Sequence, residues 1–66
     1  MVQDRESVKK RIIQATIICI EKDGIQSLTT RSVAKEAGVN NAAINYYFGS
    51  KDKLLEETLK QITDHF

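Results

Sequence analysis

Proline and tryptophan are absent from this 66-residue chain, and cysteine, methionine and histidine occur once each. Each gap closes a route. A lone cysteine, Cys19, cannot close a disulfide within the chain, and with the single histidine, His65, it cannot assemble a zinc site. No apolar run is long enough to span a bilayer, and the start MVQDRESVKK lacks the apolar stretch of a secretory leader. A cytoplasmic protein with no membrane attachment is therefore expected. Enzymatic chemistry finds little to work with. No histidine stands near a nucleophile, no pair of carboxylates suggests a cleft, and no glycine loop could cradle a phosphate. Neither catalysis nor a cofactor is expected. A chain this short, with no staples, must hold itself by compact packing of helices.

Acid is scarce in one segment. Formal net charge is +1, but Thr29 to Lys51 holds a single acidic residue, Glu36. From Gly24 to Lys51, Arg31, Lys35 and Lys51 stand against Glu36, a balance of 3 − 1 = +2. From Asp52 to Phe66, Lys53 and Lys60 stand against Asp52, Glu56, Glu57 and Asp64, a balance of 2 − 4 = −2. The chain separates a mildly basic face from an acidic tail, for which chance is the plainer reading.

What is present is helical periodicity. Apolar residues make up 41% of the chain and charged residues 29%, a folded rather than a disordered composition. Ile12, Ala15, Thr16 and Cys19 share one face, Val8 lies a turn earlier, and Ile13, Ile17 and Ile20 widen the stripe, which predicts helix 1 over about 5–22. Ile18 shares the opposite face with Arg11, Gln14, Glu21 and Lys22, as an isolated exposed isoleucine or under another domain. Gly24 suits the left-handed position past the helix end. Helix 2, about 30–37, takes Thr29 as its cap and Leu28 and Val33 as a hydrophobic staple. Val33, Ala34 and Ala37 face inward; Arg31, Ser32, Lys35 and Glu36 face out. Gly38 turns the chain, Val39 plugs the corner and Asn40 caps helix 3, about 41–47. Gly49 and Ser50 lead into helix 4, about 51–66, with a stripe of Leu54, Leu55, Thr58, Leu59, Ile62 and Phe66. The expected fold class is all-α: a homeodomain-like helix-turn-helix bundle of three helices and the start of a longer fourth.

A generic helical hairpin would satisfy the same pattern. Helix 3 favours the DNA-reading version. Ile44 and Phe48 face the core, while Asn41, Ala42, Asn45 and Tyr46 fall on the opposite face, which carries no charge. An ordinary solvated face would carry lysine and glutamate. A major groove admits one helix; asparagine can pair with adenine N6 and N7, and alanine can rest on a thymine methyl. Acids are excluded there because phosphates line both rims, and cations belong at the edges, where Arg31, Lys35 and Lys51 stand. Tyr46 and Tyr47 can donate hydroxyls to phosphate, as can the first amides of helices 2 and 4. Each has a plainer reading: Lys51 as a solvated lysine, Tyr47 as half-buried core, and Lys9, Lys10 and Arg11 as a basic helix start that meets phosphate or does not. Cys19 reads as a small buried apolar residue.

The stretch LTTRSVAKEAGVNNAAINYYFGSKDKLL resembles the DNA-binding domain of TetR-type bacterial transcriptional regulators, whose signature runs roughly T-x-R-x-I-A-x-x-A-G-V-S-x-G-x-L-Y-x-Y-F-x-S-K-x-x-L. RIIQATIICIEKDG resembles the family's R-I-L-x-A-A-x-x-L-F-x-x-x-G, and the likeness covers about residues 8 to 60. The resemblance implies phosphate contacts from Thr29, Thr30, Tyr47 and Lys51, and a base or phosphate contact from Arg31. It places Asn41, Ala42, Ala43, Asn45 and Tyr46 along the recognition helix. It also implies a larger C-terminal domain, absent from this sequence, that forms a homodimer and binds a small-molecule effector. The intact protein would then be a ligand-responsive repressor on a palindromic operator of double-stranded DNA. Ile18, Leu59, Ile62 and Phe66 are candidate contacts to that further domain. Two departures bear on base reading: Asn45 stands where tyrosine is usual, and Asn41-Ala42 where lysine-glycine is typical. A helix-turn-helix used as a protein-interaction module is the alternative, distinguished by how binding responds to salt.

Overall fold

The computed structural model describes residues 5–64. It contains four helices, α1 (Arg5–Asp23), α2 (Thr30–Ala37), α3 (Asn41–Phe48) and α4 (Lys51–Asp64), with a single 3-10 turn at Ile25–Ser27 and no strand among the described residues. His65 and Phe66 lie outside the described residues, and with them the proposed end of the α4 stripe.

Helix α1 is the hub, touching the 3-10 turn and all three other helices. Ile12, Ala15, Thr16 and Cys19 are buried, Ile13 joins them, and Val8, Ile17 and Ile20 pack half-buried at the edge. Leu28 and Val33 come in from α2 and its approach, Ile44 and Phe48 from α3, and Leu54 from α4. Ile12, Ile44 and Leu54 are fully enclosed, and each such side chain contributes roughly 1.5–3 kcal/mol through removal from water. Two threonines sit in this apolar interior at no polar cost. Thr16 Oγ1 donates to the Ile12 carbonyl at 2.8 Å, and Thr58 Oγ1 to the Leu54 carbonyl at 2.7 Å. This one-turn back-bonding satisfies the hydroxyl locally, and no buried side-chain nitrogen or oxygen among the described residues lacks a partner.

The joints set the angles between helices. Gly24 has a positive φ of 84°, but its ψ of 155° is extended, so it does not take the left-handed helical conformation that its position suggested. The chain leaves α1 through Gly24 directly into the 3-10 turn. Leu28 is buried immediately before the Thr29 cap, opposite buried Val33, so the staple closes the start of α2. Gly38 is left-handed (φ 72°, ψ 32°), and the Val39 N–H reaches back to the Ala34 carbonyl at 2.9 Å. No atom lies within 4 Å of where a Gly38 Cβ would stand, so conformation alone, not space, selects glycine there.

Candidate nucleic-acid interface

Caps determine where the exposed side chains of α2, α3 and α4 point. Thr29 Oγ1 accepts from the Ser32 N–H at 3.0 Å, and Ser32 Oγ accepts from the Thr29 N–H at 3.3 Å, a reciprocal box. Asn40 Oδ1 accepts from the Ala42 N–H at 2.8 Å at the start of α3. Ser50 Oγ accepts from the Lys53 N–H at 3.2 Å at the start of α4. These bonds stop the first turns from fraying. They hold Thr30 and Arg31 in the first turn of α2 and Lys51 as the first residue of α4.

On α3, Asn41, Ala42, Asn45 and Tyr46 are exposed, Ala43 and Tyr47 are half-buried, and Ile44 and Phe48 are buried. Tyr46 is 67% exposed, which is unusual for a large aromatic in a chain with so few of them. Its ring stands edge-on to Tyr47, centroids 5.1 Å apart and planes at 87°. Thr29, Arg31 and Lys51 are exposed and Thr30 is half-buried. Glu36, the one acid of the segment, pairs with Lys22 of α1 at 3.7 Å. The negative charge is thus drawn to the α1 side of α2.

In the basic start of α1, Lys9 and Arg11 also reach other helices. Spacing placed Arg11 on a solvent face and left a phosphate contact open; the residue is exposed, and its Nε also donates to the Ala37 carbonyl at 3.1 Å, across 26 residues of chain. Lys9 lies 5.2 Å from the centre of the Phe48 ring and 3.4 Å from a Glu57 carboxylate oxygen. One side chain therefore bridges α1, the end of α3 and α4. Nothing local in the sequence signals either contact; a basic residue near a helix start has no visible partner until the helices are packed. Lys10, between them, is exposed beside a shallow groove shared with Ile13, Gln14, Ile17, Gln61 and Ile62. Ile18 (41%) and Leu59 (48%) are exposed as well. Cys19 is buried, its thiol donating weakly to the Ser32 carbonyl at 3.6 Å.

Residues 12–58 match the family described as "Bacterial regulatory proteins, tetR family". Among curated proteins, the chain is 43% identical over 54 residues to the HTH-type transcriptional regulator BetI of Vibrio atlanticus, covering 82% of this chain and 27% of that protein. It is 38% identical over 58 residues to BetI of Paraburkholderia phymatum, covering 88% of this chain and 30% of that protein. It is 41% identical over 54 residues to BetI 2 of Chromohalobacter salexigens, covering 82% and 26%. The chain thus spans well under a third of the length of these relatives. No solved structure matches it.

Proposed function

The chain belongs to the tetR family of bacterial regulatory proteins, and from that premise we propose that it is a DNA-binding domain that reads double-stranded DNA with α3 in the major groove. One observation carries this reading. The outer face of α3 is exposed, rich in hydrogen-bonding groups and uncharged, while cations stand on the neighbouring helices. Asn41, Ala42, Ala43, Asn45 and Tyr46 are assigned to base edges and the groove wall. Thr29, Thr30, Tyr47 and Lys51 are assigned to phosphates, with Arg31 on a base or a phosphate. The N-termini of α2 and α4 add amide donors to the same backbone.

For the intact protein, the proposal is a homodimeric, ligand-responsive repressor. A two-fold dimer places two copies of α3 on the half-sites of a palindromic operator. A further C-terminal domain would hold the dimer contact and the small-molecule effector, with Ile18, Leu59 and Ile62 as contacts to it. Alone, one domain binds weakly, because the avidity of the second half-site is lost.

The test is an NMR titration of the labelled chain with a mixed-sequence DNA duplex at low and then moderate salt. Joint shifts of the amides of Thr29 to Arg31, Asn41 to Tyr47 and Lys51, collapsing as salt rises, are expected. Shifts scattered over α4, or insensitive to salt, would falsify the DNA reading in favour of a protein-interaction module.

A further inference from the structure

Arg11 presents a hydrogen bond that ties α1 to the end of α2. Its acceptor is the carbonyl of Ala37, the last residue of α2, immediately before the Gly38 turn. Carbonyls in the last turn of a helix have no partner within the helix and carry its partial negative charge. The Gly38 and Val39 amides return to Ala34 and Lys35, which leaves the Ala37 carbonyl outside the turn's own bonding. A guanidinium there supplies both a donor and an opposite charge, and its planar fork fixes direction better than an ammonium would. Arg11 is itself rooted beside Ile12, which is fully enclosed in the core. The anchor therefore runs from the centre of the bundle to the exact joint that sets the angle of α3 against α2.

We propose that Arg11 is a positioning residue for DNA recognition: it holds the α2–α3 turn in the binding geometry without touching DNA. The proposal rests on the DNA reading given above. Removing the anchor lets the turn sample other angles, and apparent affinity falls with the fraction of molecules in the competent geometry. This differs from a phosphate contact, which would reduce the number of counterions released on binding.

The experiment compares Arg11→Met and Arg11→Lys with Lys10→Met, which removes the same charge one residue away. A mixed-sequence duplex is the binding probe, and measurements are made well below the unfolding midpoint of each variant. Arg11→Met is expected to bind about threefold to tenfold more weakly, with an unchanged slope of log affinity against log salt. Arg11→Lys should fall between it and the parent, and Lys10→Met should change affinity less than Arg11→Met does. Amide hydrogen exchange in the DNA-free protein gives a second readout. In Arg11→Met, exchange should quicken at Gly38, Val39 and Asn41 to Ala43 but not along α4. A shallower salt slope overturns the proposal, because Arg11 is then a phosphate contact. Equal losses in Lys10→Met and Arg11→Met overturn it, because charge alone then accounts for the effect. Unchanged exchange at Gly38 and Val39 overturns it in any case. If the parent chain shows no salt-dependent binding at all, the DNA reading fails, and the exchange pattern still decides whether Arg11 holds the turn.

Discussion

The outer faces of α3 and α4 differ in what they do with charge. On α4, Asp52, Glu56 and Asp64 alternate with Lys53 and Lys60, and Lys53 and Glu56 pair at 3.7 Å one turn apart. This is how a solvated helix supports itself, by several weak pairs along its surface. On α3, Asn41, Ala42, Asn45 and Tyr46 offer no such pairs. α3 is held by its Asn40 cap and by Ile44 and Phe48 in the core. α3 thus obtains its stability from below and from its ends, and its outer face carries no charged residue. On α4, charged residues pair within the helix and with Lys9 of α1.

The comparison can be broken at its foundation. Ile44→Ala removes a fully enclosed side chain and should cost about 2–5 kcal/mol, comparable with the whole stability of a domain this small. Urea titration followed by circular dichroism should show the cooperative transition lost or shifted far toward zero denaturant. A next, sharper cut is Ala42→Glu, which puts an acid on the α3 face beside the expected phosphates. Affinity for duplex DNA should fall by about tenfold or more, with the helical signal kept, whereas Gln61→Glu on α4 should leave binding unaltered. Equal behaviour of the two variants would remove α3 from the interface.

Smaller effects refine the edges. Lys51→Ala should weaken binding to all sequences alike and reduce the salt slope by about one; a change in sequence preference would make Lys51 a base contact instead. Thr29→Ala should cost about 1 kcal/mol of stability through loss of the α2 cap, and Thr29→Ser, which keeps the hydroxyl, should recover most of it in thermal melts. Least of all, Glu56→Gln should move stability by no more than about 0.5 kcal/mol, because the pair it breaks is well exposed. A larger change would mean that the α4 surface carries structure of its own.

The all-α class was legible because its signals are local. Ile12, Ala15, Thr16 and Cys19 recur with helical period and all four are buried. Leu28 before a threonine, and glycine followed by Val39 and Asn40, are turn chemistry that can be read along the chain. The candidate site was legible to the extent that an uncharged outer face is a property of one helix. The 3-10 turn at Ile25–Ser27 was not legible, because three residues carry no period. Ser32, placed simply as outward-facing, proves to return a hydrogen bond to its own cap, a role more often filled by glutamate or glutamine. The fates of Lys9 and Arg11 were not legible either. Their partners, Glu57, Phe48 and the Ala37 carbonyl, are remote in sequence and belong to three other helices.

Residue order alone was enough to specify four helical segments, most of the faces they bury, the caps that start α2, α3 and α4, and a stretch nearly devoid of acid. Those properties depend on neighbours within one or two turns, where backbone geometry fixes which side chains meet. Tertiary packing decided which basic residues remain available to a partner. It tied Lys9 and the exposed Arg11 to other helices, paired Glu36 with Lys22, and left Arg31 and Lys51 exposed on the two helices that contact α3. A cation's role depends on the acceptors within its reach, and those are set by helices brought together from distant parts of the chain.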